Sequence, residues 1–336
     1  MPSPILRPRR FLQGVMHPEA FHGAGERGPF FEGWYVKLVT IDGRTLVLIP
    51  GVFERGSDPH AFVMVGDTER AHSHRLRFPV ADFGAVGDGF DVTVGPNRFG
   101  GAGIEVDLAH DDWPIRGRVG FGDLNPWPVT TRAPGCMGWY GWMPFLECYH
   151  GVVSMDHPLE GSLDVGGESV SFDGGRGYIE TDWGRNFPDT WVWAHAFVGE
   201  ASVMVSIARV PFLGGSFPGF LAAVLLPGGE LVRFATWTGA RIASLSTGSG
   251  VARVVIEDDE WTLEVDAAVG HPVELVGPSS QGMDRTVDEG IASPVSVRLL
   301  RHGRPVLEGS SDRGGVEVHG TSEQRDWLTT PGWRRT

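Results

Sequence analysis

GYIETDWGRNFPDTWVWAHAFV, Gly177 to Val198, decides the reading of this chain. Its second half alternates strictly. Trp191, Trp193, His195 and Phe197 fall on one side, and Val192, Ala194, Ala196 and Val198 on the other. A period of two is the signature of a β-strand. One face of that strand is aromatic with a single titratable group; the other is small enough to lie against a neighbouring layer. The first half carries Glu180 and Asp182. If YIETD is extended, Tyr178, Glu180 and Asp182 share a face.

The same pattern recurs outward in both directions. Asp42-Gly43, Gly166-Gly167, Gly228-Gly229, Asp258-Asp259 and His302-Gly303 each sit between short apolar runs. Such dipeptides are hairpin signals. The 49 glycines and 24 prolines are dispersed among these runs, as tight turns require. No segment has a sustained helical period, and Pro278 to Pro294 reads as a turn-rich connection. The expectation is an all-β protein of about fifteen strands, too many for one small barrel. Two domains, residues 1–175 and 176–336, are placed on the chain.

Composition limits the function. The net charge of −14 argues against nucleic acid and against an anionic membrane surface. Arg7, Arg9 and Arg10 form the basic cluster that stands out, and Lys37 is the one lysine. Two cysteines, Cys136 and Cys148, are too few for a disulfide framework. The longest apolar run, Phe220 to Leu226, is too short to span a bilayer. The opening residues have no continuous apolar core of a signal peptide. A cytoplasmic protein is expected. No P-loop, dinucleotide fingerprint, GxSxG, CxxC or HExxH occurs, so no cofactor is expected. Neither His17 with His22 nor His72 with His74 completes a metal-site spacing, and no metal is expected.

The Gly177–Val198 stretch resembles the signature of the tocopherol cyclase family. The resemblance lies in Tyr178, Glu180, Trp183, Gly184, Phe187, Pro188, Trp191 and Trp193. It continues in FFEGWYVK (Phe30 to Lys37), in PFLE (Pro144 to Glu147), and faintly in GVEVHG (Gly315 to Gly320). It implies two lipocalin-like β-barrels in tandem. It also implies a cofactor-free acid catalyst that adds a proton to a lipophilic alkene and closes a chroman ring on a prenylated quinol or phenol. Such an enzyme is an intramolecular lyase of the isomerase class. A transient membrane contact would let it collect its substrate.

That chemistry needs an acid in a dry site, aromatic faces near the cation, and a group to orient the phenol. Glu180 and Glu147 are the candidate acids, with Glu32 the third carboxylate at a motif position. Asp182 is a further candidate, although the family pattern has an amide there. His195 is the candidate phenol-orienting group. Trp191 and Trp193 are the candidate wall, with Tyr178, Trp34 and Phe197 as further substrate contacts. The carboxylates also have plain structural readings: Glu32 as an acceptor for backbone N–H groups or an arginine, Glu180 and Asp182 as turn caps or partners for Arg176 or Arg185. The alternative for the whole protein is a non-catalytic carrier of an isoprenoid or other hydrophobic molecule, since fold does not fix function.

Overall fold

The computed structural model describes residues 14–26, 28–70, 72–111, 113–144, 146–212, 215–248, 250–270, 272–279, 282–329 and 334–335. Arg7, Arg9 and Arg10 lie outside them. The chain is all-β and lipocalin-like, with two large antiparallel sheets of twelve and eleven strands among the described residues. Helix is confined to short pieces, among them Ser322–Leu328 with a Thr321 capping box.

Each expected hairpin forms. Val39 pairs with Thr45 across Asp42-Gly43, Val165 with Glu168, Leu225 with Leu231, Glu257 with Thr262 and Arg301 with Arg304. The turn between Arg301 and Arg304 shows why these dipeptides work. Its φ values are +47° at His302 and +74° at Gly303, a left-handed pair that matches the twist of the flanking strands.

Two compact units result. The first holds Met1–Glu69, Ser73–Phe187 and Val276–Arg285; the second holds Arg70–His72, Pro188–Leu275 and Thr286–Thr336. The boundary expected at residue 175 therefore moves to Phe187/Pro188. The physical reason is pairing: the strand Arg176–Gly184 lies inside the first sheet, between Phe30–Val39 and Cys148–Val165. Pro278 to Pro294 is likewise not a turn-rich connection. Most of it belongs to the long strand Met283–Arg301, whose outward residues are polar enough to hide its period.

In the first unit the core gathers one face of the sheet. Trp34, Val36, Leu38, Leu48, Ile179, Phe99, Ile104 and Leu163 belong to one buried cluster. These residues come from strands far apart in the sheet order, so the sheet curls around them. Trp34 is fully buried there, its indole N–H donating to the Glu19 carbonyl oxygen at 3.1 Å. It packs within the core cluster of this unit. In the second unit Val192, Ala194, Ala196 and Val198 enter the core, so the small face of that strand packs as its sequence suggests.

Candidate active site

The Arg176–Gly184 strand is central in its sheet, and its alternation sorts the motif residues onto two faces. Register fixes which neighbours each one meets. Glu180 stands opposite Tyr35 on one side and Val152 on the other; Asp182 stands opposite Gly33 and His150; Tyr178 stands opposite Lys37. These residues share the face turned away from the core cluster. Trp183, one residue on, stands opposite Glu32 and Tyr149 on the other face.

On the first face four side chains form a chain of contacts. The Tyr178 hydroxyl donates to Glu180 Oε2 at 2.5 Å. Glu180 Oε2 is 3.5 Å from His150 Nε2. His150 Nδ1 is 2.9 Å from Asp182 Oδ1. Exposure rises along this chain: the side chains of Glu180, His150 and Asp182 are 7%, 12% and 29% exposed. The Cys136 thiol donates to the His150 carbonyl oxygen at 3.1 Å and helps fix the strand entry. Lys37, the one lysine, is fully buried on this face.

The electrostatics follow from that packing. Burial pulls the His150 imidazolium pKa down, but the Asp182 and Glu180 charges and the Asp182 hydrogen bond outweigh it, raising it to about 9. Burial, reinforced by the Glu180 charge and hydrogen bond, holds the Tyr178 phenol well above its ordinary value. Burial also raises both thiols, Cys136 and Cys148, so neither is an activated nucleophile. The donor atoms of His150, Glu180 and Asp182 lie within 4.8 Å of one another, near enough to share a divalent cation if one were supplied. In this arrangement His150 is hydrogen-bonded to Asp182 and stands within ion-pair distance of Glu180.

The other face uses its motif glutamate differently. Glu32 is fully buried. It accepts from the His22 backbone N–H at 2.8 Å and lies 2.7 Å from His22 Nδ1. The other ring nitrogen of His22 donates to the Gly14 carbonyl oxygen at 3.1 Å. The imidazole stacks on Trp183 with ring centroids 3.8 Å apart, and Tyr149 stacks on the same indole at 5.5 Å. Burial raises the Glu32 pKa, with the His22 charge and hydrogen bonds pulling against it. Glu32 therefore anchors the lead-in segment to the sheet. It lies on the opposite face from Glu180, and the two cannot serve one site as neighbours.

Glu147 is exposed, ahead of the Cys148–Val165 strand. Its carbonyl oxygen accepts from the Arg185 and Asn186 backbone N–H groups at 2.8 and 3.3 Å. That contact explains Gly184 of the Trp-Gly pair. Gly184 has φ +147°, and a Cβ there would stand 2.2 Å from the Glu147 carbonyl oxygen. Gly184→Ala is expected to cost about 1–3 kcal/mol of stability, the scale of a forced backbone conformation; urea unfolding measures it. Arg176, a partner expected for these carboxylates, is held by Asp156 at 2.7 and 3.0 Å.

In the second unit Trp191, Trp193, His195 and Phe197 share the face away from the core. The Trp191 indole N–H donates to Glu317 Oε2 at 2.5 Å, and its ring stacks on His319 at 4.0 Å. Trp193 covers Gly315, where a Cβ would meet its ring at 2.8 Å. His195 is fully buried, with Nε2 3.2 Å from the Ser202 hydroxyl. Its ring meets Phe197 edge-on at 4.9 Å. The faint echo in GVEVHG is thus the strand paired to Trp-x-Trp: Trp193 stands opposite Glu317 and Trp191 opposite His319.

His150 is the member of this cluster that the sequence reading does not single out. It lies 32 positions from Asp182, and pairing in the sheet brings them together. The one available signal was its place two residues into a strand that follows the PFLE motif.

Comparison with known proteins adds a family. The pattern described as Tocopherol cyclase-like matches residues 64–320. A rice chloroplast protein (Oryza sativa subsp. japonica), described as a probable tocopherol cyclase, is 22% identical over 67% of this chain and 50% of its own length. The maize (Zea mays) chloroplastic tocopherol cyclase is 22% identical over 67% of this chain and 49% of its own. The chain thus spans about half the length of these curated relatives. Among solved structures, a Nitrosomonas europaea protein described by its similarity to AttH superposes with TM-score 0.51 at 14% identity, covering 90% of this chain and 95% of that one. CghA, solved with Sch210972, superposes with TM-score 0.52 at 13% identity, covering 87% and 89%. These likenesses concern the fold. No helix among the described residues is long and apolar enough to cross a membrane.

Proposed function

The chain belongs to the tocopherol cyclase-like family, and from that premise we propose that it closes an oxygen ring on a prenylated phenol or quinol by acid catalysis, without a cofactor. One observation carries this reading. The family's glutamate, Glu180, is nearly dry and hydrogen-bonded to Tyr178, and it stands beside a histidine that can supply a proton. A carboxyl group in a desolvated setting is the kind of acid that can protonate an alkene.

The steps balance as follows. Glu180 gives its proton to the less substituted carbon of a trisubstituted double bond. The other alkene carbon becomes a tertiary cation. The phenolic oxygen attacks it, a C–O bond forms, the phenol O–H bond breaks, and its proton returns to the Glu180 carboxylate. Substrate and product are isomers. Tyr178, on the acid's own face, is the proposed substrate contact beside it. Trp191, Trp193, His195 and Phe197 form an aromatic face of the second unit, itself suited to an apolar contact.

The test is to incubate the full-length protein with a prenylated hydroquinone in D2O. The expected product is an isomer of the substrate that carries one deuterium on carbon, seen by mass spectrometry. Substrate that is retained by the protein and recovered unchanged would instead support the carrier reading.

A further inference from the structure

We propose that His150 stores the proton that Glu180 delivers, and that covering the site with a lipophilic substrate moves the proton from one to the other. This rests on the acid-catalysis reading above and deepens it. The geometry carries the inference. His150 stands between two carboxylates, Nδ1 at 2.9 Å from Asp182 Oδ1 and Nε2 at 3.5 Å from Glu180 Oε2. Its buried Nε2 has no hydrogen-bond partner among the described residues, so that nitrogen is reserved for Glu180. The outer carboxylate, Asp182, is the most solvent-exposed of the three.

In the free protein the proton sits on the imidazole, flanked by Asp182 and Glu180. The charges that act on it are these two carboxylates; the Tyr178 phenol and Lys37 opposite it lie on the same face, and the Cys148 thiol lies on its own strand against Asp182. An ion pair is stable while water can reach its rim. An apolar molecule laid over it removes that solvation, and a low-dielectric setting favours the neutral pair. The Nε2–H bond then breaks and the Glu180 O–H bond forms. The 3.5 Å separation closes on binding, as catalytic contacts in unliganded proteins commonly do. After Glu180 protonates the alkene, the proton leaving the phenol passes back through the Glu180 carboxylate to Nε2, the ring nitrogen that gave its proton up, and the imidazolium is restored. No proton is gained or lost over the cycle. Asp182 is thus a positioning residue that keeps Nδ1 protonated, as an acceptor on one ring nitrogen fixes the role of the other.

Two measurements test this. In the full-length protein, nitrogen NMR of the His150 ring should show an imidazolium at pH 7. Adding a prenylated hydroquinone whose side chain is saturated, so that it cannot react, should convert it to the neutral ring. An imidazolium that persists with this analogue bound overturns the proposal. So does failure of the analogue to bind, which at the same time removes the reading it rests on. The second measurement is turnover. His150→Gln should lower kcat about a hundredfold or more. Wild-type activity should fall as pH rises through about 9, where the imidazole loses its proton. In His150→Gln that alkaline limb should move to lower pH, a change that loss of structure alone would not produce. Ring closure by His150→Gln at the wild-type rate, with the same pH profile, overturns the stored proton while leaving the cyclase reading in place. Stoichiometric zinc binding that requires His150 and accelerates the reaction also overturns it.

Discussion

Glu180→Gln is expected to reduce turnover at least about a hundredfold, the usual scale for a lost general acid, while the protein stays folded. The substitution keeps the volume of the side chain and an oxygen to accept the Tyr178 hydroxyl, which now bonds Glu180 Oε2 at 2.5 Å. It removes the transferable proton and the negative charge that faces His150 Nε2. Loss of that charge also lowers the His150 pKa, because Glu180 is one of the two charges that raise it. The variant therefore empties both ends of the proposed proton pair. The measurement is the rate of product formation per folded protein, with far-UV circular dichroism and a urea titration as controls. If turnover survives and only the unfolding midpoint falls, Glu180 is structural and the proposed acid must be sought elsewhere.

The sequence displayed this strand well and its partners poorly. Alternation alone places Tyr178, Glu180 and Asp182 on one face, and the sheet keeps them there. The Gly-containing hairpins fix the all-β class by local chemistry, because positive φ leaves a mark in composition. Contacts between strands leave no such mark. Sequence alone treats Glu32 and Glu180 as members of one set, since both stand in motifs beside aromatics. Their parity relative to the shared register, with Glu32 opposite Trp183 and Tyr35 opposite Glu180, separates them onto two faces. Neither segment contains that information by itself. His150 was missed for the same reason. Its partners arrive through pairing of Cys148–Val165 with Arg176–Gly184, which no local pattern announces. The domain boundary failed because a strand at the end of a domain looks the same as one at the beginning of the next. Arg176–Gly184 pairs backwards with Phe30–Val39, a contact that only the folded sheet defines.

Glu32→Ala should cost stability instead of chemistry. The carboxylate is fully buried and accepts two short hydrogen bonds from one residue, the His22 backbone and ring. A proton must lie between Nδ1 and Oε1, because Nε2 already donates to the Gly14 carbonyl oxygen. The pair is held either as imidazolium with carboxylate or as imidazole with carboxylic acid. Removing the carboxylate leaves a buried backbone N–H without its acceptor and frees the imidazole that covers Trp183. Loss of one partner from a buried pair of this kind costs about 3–5 kcal/mol. Glu32→Gln keeps an acceptor for the backbone N–H, and it should recover about half of that loss. The prediction is read from urea midpoints of the two variants and from activity per folded protein, which should match the wild type in both. Were Glu32 the acid, the order would reverse: Glu32→Gln would stay as stable as the wild type and lose turnover. The two motif glutamates can therefore be told apart by opposite signatures, since one faces a proton donor chain that reaches solvent and the other closes a stack of rings over the core.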